Sequence, residues 1–196
     1  MYFGKKYLTT LHKMKAITIL KGFQMAINQF PYITLTKELV KVIRFDSSCV
    51  YAIGKEDQKD WNKLMGFSYG LLPHYSKEWK EVSRPMHYNS VRFGWRYNPE
   101  TNKIEVGPYY YMNGFRCYPE NSFHGIYSLD LDKDYLFSIY THKNTADLII
   151  GYADQPEFYR WKIRANPKKY GWIGPLFFGG NKKAPHTIQV HQDRIR

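Results

Sequence analysis

The sequence predicts an all-β chain: a single-domain antiparallel β-sandwich or jelly roll of about ten strands, with little helix. Three observations carry this. Aromatic residues make up 18% of the 196 residues, with 18 Tyr, 12 Phe and 5 Trp, an excess that favours strands. Short segments of alternating apolar and polar residues recur along the chain, separated by clusters of Gly, Pro, Asn and Asp. No stretch repeats apolar residues at the spacing of an amphipathic helix.

Taken in order, residues 1–13 form a basic N-terminal arm, with Met14 as an alternative start, and residues 14–196 form the one sandwich domain. Helix is expected, if anywhere, in Leu8–Phe30, the least decided region, or in Ser76–Val82. Strands are expected at Leu39–Phe45, Cys49–Ile53 and Leu64–Tyr69. The clearest is Val91–Tyr97, whose apolar residues alternate strictly with Arg92, Gly94 and Arg96. Asn98-Pro99-Glu100-Thr101-Asn102 supplies a turn, and Lys103–Met112 returns as the second arm of a hairpin. Further strands are expected at Tyr135–Thr141, Asp147–Tyr152, Phe158–Arg164, Trp172–Phe178 and Thr187–His191. Asn113-Gly114 reads as a tight turn that needs positive φ.

Lys and Arg total 29 against 17 Asp and Glu, a net charge of +12, so acidic partners are favoured: nucleic acid, an anionic glycan, a lipid surface or an acidic protein. The basic residues are dispersed, and none forms the block of like charge typical of a nucleic-acid tail. No apolar run reaches the roughly 18 residues a membrane helix needs. Met14-Lys15-Ala16-Ile17-Thr18-Ile19-Leu20 superficially opens like a signal peptide. Lys21 interrupts it and no small-x-small cleavage site follows, so a chain made in the cytoplasm is expected. The 2 cysteines, Cys49 and Cys117, are too few for a disulfide framework and are expected reduced.

The hairpin's polar face is the main candidate site. If both apolar sets share one side, Arg92, Gly94 and Arg96 share the other with Glu105, Gly107 and Tyr109. Arg96 then lies opposite Glu105 and Arg92 opposite Tyr109. Arg offers bidentate donors, Tyr a stacking face, and Gly lets a sugar or carboxylate approach the sheet. The plainer reading is a cross-strand ion pair on a solvated face. His87 leads into the hairpin and extends the candidate set, and Asn181 and His186 tie down the closing loop or add to a site there.

Other chemistries are less well supported. A polysaccharide lyase would use Tyr109, Arg92, Arg96 and His87 or His191, but the tight motifs of such enzymes are absent. A glycosidase needs paired carboxylates, and Glu105 stands alone on its strand. Asp130-Leu131-Asp132-Lys133-Asp134 opens like a calcium loop but has Tyr135 at the glycine position and Thr141 at the bidentate position. The seven histidines lack metal-ligand spacing, so neither a metal nor a cofactor is expected. Arg160, Lys162 and Arg164 alternate with Tyr159, Trp161 and Ile163. That basic strand suits single-stranded nucleic acid or blunts a sheet edge against aggregation.

Two stretches together carry a resemblance. The first comprises residues 57–70, beginning Asp57-Gln58-Lys59-Asp60-Trp61-Asn62-Lys63, then His87, residues 89–97 and Tyr109-Tyr110-Tyr111-Met112-Asn113-Gly114-Phe115-Arg116. The second is Phe178-Gly179-Gly180-Asn181 with Ala184-Pro185-His186. Over roughly residues 20–192 the chain resembles a group of small uncharacterised β-rich proteins of gut-type bacteria and their phages, crAss-like phages among them. Leu71–Pro85 runs longer than that resemblance implies. The resemblance implies one compact β-domain and a phage or prophage origin, and transfers no catalytic residue. More loosely, the Phe-Gly-Gly ending is similar to concanavalin-like and laminin-G-like jelly rolls, an analogy of fold only. The expected role is a non-enzymatic binding or structural module of a phage particle or cell surface that contacts a glycan or protein, with assembly into oligomers open. A lyase-type enzyme and single-strand nucleic-acid binding are the alternatives.

Overall fold

The computed structural model describes residues 14–69, 74–76, 81–83, 87–152 and 159–194. In chain order the strands are β1 (Lys15–Ile19), β2 (Tyr32–Thr34), β3 (Glu38–Phe45), β4 (Asn62–Ser68), β5 (His74–Ser76), β6 (Glu81–Ser83), β7 (Ser90–Asn98) and β8 (Lys103–Met112). β9 (Phe115–Cys117) follows, then the one-turn helix α1 (Pro119–Ser122). The chain continues through β10 (Tyr127–Leu129), β11 (Tyr135–Thr141), β12 (Thr145–Tyr152), β13 (Tyr159–Arg164), β14 (Gly171–Ile173) and β15 (Ile188–Arg194).

All of these strands but β5 and β6 form two antiparallel sheets packed face to face, the sandwich that aromatic content and alternation predict. The first sheet runs β1-β15-β3-β11-β12-β13; the second runs β10-β8-β7-β4-β14-β2, with β9 added beside β8. Alternation decides which side chains meet between them. Ile43, Phe45, Phe137, Ile139, Leu148, Ile150, Trp161 and Ile163 point inward from the first sheet. Leu64, Phe67, Val91, Phe93, Trp95, Ile104 and Val106 answer from the second. Phe93 meets Phe137 edge-on at 4.9 Å, and Phe45 meets Trp95 at 5.2 Å. Such aromatic pairs each add about 1 kcal/mol beyond the area they bury. Among the described residues, β5 and β6 pair only with each other.

Several elements differ from expectation, each for a local reason. The undecided N-terminal segment contains β1, where Ile17 and Ile19 point inward at period two and pair with β15; residues 8–13 lie outside the described residues, as does the rest of the expected arm. Ser76 and Glu81–Val82 belong to the β5/β6 ladder and not to a helix. The expected strand at Cys49–Ile53 is replaced by a single 3-10 turn at Ser47–Cys49. There Asp46 accepts from the Ser48 amide at 2.9 Å and from its hydroxyl at 2.5 Å, local bonds that compete with a ladder. The strand expected through Phe178 ends at Ile173; Pro175 has no N–H to give, and Phe177 returns only as isolated bridges to Met25 and Lys63. Cys49 and Cys117 are both free thiols.

Candidate binding site

β7 and β8 pair in the register that alternation predicts: Arg96 opposite Glu105, Gly94 opposite Gly107, Arg92 opposite Tyr109. Val91, Phe93, Trp95 and Tyr97 with Ile104 and Val106 enter the core, so the Arg/Glu/Tyr set lies on the outer face of the second sheet. Neither arginine points into the core.

The two glycines serve a purpose the sequence does not reveal. A methyl group on Gly94 would sit 3.0 Å from the Trp61 ring and 3.1 Å from Tyr109 Cβ. One on Gly107 would meet Pro119 Cγ at 2.5 Å. The glycines therefore seat Trp61 and Pro119 against the sheet, and no ligand reaches the backbone there.

Arg96 holds this cover in place. Its Nε donates to Glu105 at 2.7 Å, and its Nη1 donates to the Lys59 carbonyl at 2.8 Å and reaches Glu120 at 2.6 Å. The guanidinium lies 4.4 Å from the Trp61 ring centre, and Trp61 Nε1 donates to the other Glu120 oxygen at 2.8 Å. Arg96 and Glu105 side chains are only 14% and 12% exposed, so this is a shielded, hydrogen-bonded ion pair rather than a surface one.

A second group of cations lies on the same face across four neighbouring strands. β4 presents Lys63 just before a register shift at Lys63/Gly66, β7 presents Arg92, β8 presents Tyr109 and Tyr111, and β9 presents Arg116 opposite Tyr111. Lys63 Nζ sits 4.7 Å over the Tyr109 ring and donates to the Trp61 carbonyl at 3.0 Å. Arg116 hydrogen-bonds Tyr109 and lies 5.2 Å over the Tyr118 ring. Arg92 is buried, 7% exposed, with Gly174 against its guanidinium and Ser68 accepting its one hydrogen bond among the described residues. Burial lowers the Lys63 pKa to about 8, helped by the charges of Arg92 and Arg116 and opposed by Asp60. Burial also lowers that of Arg92 to about 10. Lys63 and Arg116 were not among the candidates from sequence. The Asn113-Gly114 turn, with φ of 53° and 89°, was the available signal, because a two-residue hairpin fixes Arg116 beside Tyr111.

A cleft of about 330 Å³ opens over this region. Lys59, Asp60, Lys63, Arg116, Tyr118 and Glu120 line it above the Arg96, Trp61 and Tyr109 floor. It holds donors and acceptors side by side around the half-buried Tyr118 ring.

The other predicted residues are spread over the molecule. The His87 ring stacks on Tyr111 at 5.0 Å, and Tyr111 meets Tyr109 edge-on at 6.0 Å, so His87 joins the outer face at its end. Asn181 is exposed beside Gly180, which lines the cleft. His186 lies 2.9 Å from the Ser48 carbonyl, and His191 pairs with Asp46 at 2.7 Å from β15 in the first sheet, apart from Tyr109 and Arg92 on the second. Arg160, Lys162 and Arg164 are exposed along β13, the edge of the first sheet, while Trp161 and Ile163 between them are buried. In the acidic turn, Asp130 pairs with Lys103 at 2.8 Å and Lys133 at 2.7 Å, and Asp134 takes Arg44 at 2.6 Å.

No family model matches the chain, and no curated protein matches it. Among solved structures it is similar to a functionally unknown protein from Saccharomyces cerevisiae, at 7% identity and a TM-score of 0.47, covering 92% of this chain and 83% of that one. It is also similar to the exoplasmic/lumenal domain of VIP36 in its Ca2+/Man3GlcNAc-bound form, at 12% identity and 0.43, covering 97% and 86%. A third is the galectin LEC-6 of Caenorhabditis elegans, at 8% identity and 0.39, covering 94% of each chain.

Proposed function

We propose that the protein is a non-catalytic binding module that takes a saccharide in the cleft on the outer face of its second sheet. One observation carries this reading. The cleft interleaves donors from Lys59, Lys63 and Arg116 with acceptors on Asp60 and Glu120 around a half-buried Tyr118 ring, and the Arg96 network fixes its floor. Sugar hydroxyls both give and accept hydrogen bonds, and a pre-formed polar cleft with one apolar surface suits them. At about 330 Å³ the cleft is at the small end of known ligand sites, which run from about 300 Å³ upward, and so suits a short glycan segment. Tyr109 and Arg92, the pair a lyase would employ, are 5% and 7% exposed, which favours binding over elimination.

The test is a glycan array probed with the whole chain, followed by calorimetry on the hits. Asp60→Asn and Tyr118→Ala are expected to weaken binding about tenfold each, the worth of one good hydrogen bond or ring contact. An array with no hits, or hits indifferent to both substitutions, would overturn the reading. An unsaturated uronate product appearing on incubation would turn it toward lyase chemistry. The resemblance to bacterial and phage proteins supports an attachment role at a particle or cell surface, for which mass spectrometry of purified particles is the check.

A further inference from the structure

We propose that the saccharide is acidic, and that its carboxylate or sulfate seats between the Lys63 ammonium and the Arg116 guanidinium above Tyr109. The proposal rests on the saccharide reading of the cleft and names the class of sugar it takes.

Lys63, Arg92 and Arg116 share one face, and each acts on another: the charges of Arg92 and Arg116 both press on Lys63. Among the described residues none of the three has an ion-pair partner, although Arg96 beside them takes two glutamates. Arg92 is buried and Lys63 half-buried beside the exposed Arg116, and gathering like charges where two of them are withheld from water is costly unless an anion answers them. Among the described residues Asp60 is the acidic group whose charge supports that of Lys63.

The unused donors point the same way. An ammonium has three N–H groups, and Lys63 gives one of them to the Trp61 carbonyl. A guanidinium has five, and Arg116 uses its own toward Tyr109 alone among the described residues. Both cations line the cleft, and Tyr109 lies between them, under Lys63 and bonded to Arg116. Arg92, buried behind them, adds positive potential without contacting the ligand. The rings of Trp61, Tyr109 and Tyr118 each carry a cation on one face, so charge and hydrogen bonds outweigh stacking in what this cleft recognises.

The experiment titrates the whole chain with a neutral oligosaccharide, the uronate oligosaccharide of matching linkage and a sulfated one. Acidic ligands are expected to bind at least about tenfold more tightly than the neutral one, as charge-assisted bonds do. The uronate and sulfate arms identify which anion is preferred. Arg116→Ala, at an exposed position, is expected to erase most of that preference, weakening the acidic ligands at least about tenfold more than the neutral one. Lys63→Met is expected to do the same. A triple alanine variant at Arg160, Lys162 and Arg164 removes three charges elsewhere and is expected to leave the preference unchanged. Equal binding of neutral and acidic sugars would overturn the inference while sparing the saccharide reading, and binding of neither would overturn both. Equal loss in the triple variant would reduce the effect to bulk charge. Displacement by a single-stranded oligonucleotide at equal charge concentration would assign the cleft to phosphate polymers instead.

Discussion

Two regions of this protein share one composition and put it to different uses. On β13, Arg160, Lys162 and Arg164 alternate with Tyr159, Trp161 and Ile163. On the outer face of the second sheet, Lys63, Arg92, Arg96 and Arg116 lie among Trp61, Tyr109, Tyr111 and Tyr118. A strand sends neighbours to opposite faces, so the β13 cations stand in water while Trp161 and Ile163 enter the core. In the second sheet cations and rings come from different strands and loops onto the same face, so they touch. Basic and aromatic residues close in sequence therefore say less about binding than the same residues brought together by topology.

The largest difference between the two regions is expected at Arg96. Arg96→Ala leaves Glu105 shielded and without its cation, and should cost about 3 kcal/mol in urea denaturation. Arg164→Ala on the exposed edge should cost less than about 0.5 kcal/mol. Comparable losses at the two positions would remove the distinction drawn between them.

Next comes Lys63. Its folded pKa is lowered to about 8 from the ordinary 10.5, so burial disfavours its charged form. That penalty is fully present below about pH 8 and disappears as pH rises to 10.5, where the unfolded lysine also loses its proton. Lys63→Met should thus stabilise the fold at pH 7 by on the order of 2 kcal/mol, with the advantage shrinking toward pH 10.5. Stability curves for both proteins across that range provide the measurement, and a pH-independent difference would contradict the assignment.

A smaller effect is expected in binding. Affinity for an oligouronate should fall several-fold as pH passes about 8 and Lys63 loses its proton. Arg92, held near 10, and Arg116, whose pKa is raised, keep their charges through that point. Calorimetry at pH 7 and pH 9 decides it, and Lys63→Met should flatten the profile.

The smallest effect concerns β13. Removing its three basic side chains should change stability by less than about 0.5 kcal/mol each and make the protein more prone to self-association through the bared edge. Light scattering against protein concentration is the check.

How far the sequence could be read follows the same logic. The β7/β8 hairpin was legible because nine residues of strict alternation and one turn specify a register, and the Arg96/Glu105 pair follows from it. The three-residue strands β2, β9 and β10 are too short for alternation to register. Lys63 escaped notice because the irregularity between it and Gly66 breaks the alternation of β4. Gly94 and Gly107 looked like room for a ligand, yet Trp61 and Pro119 occupy that room from segments that only the fold brings back. Asn181 and His186 looked like one loop site; the fold leaves the first beside the cleft and ties the second to Ser48.

The most direct test of the central claim is the pKa of Lys63, followed by NMR of its side chain in the free protein and with saturating oligouronate. With the cations unanswered the pKa should lie near 8, and a bound carboxylate should raise it toward 10.5. A pKa that the ligand does not move, or one already at 10.5 in the free protein, would contradict an anion seated at this lysine.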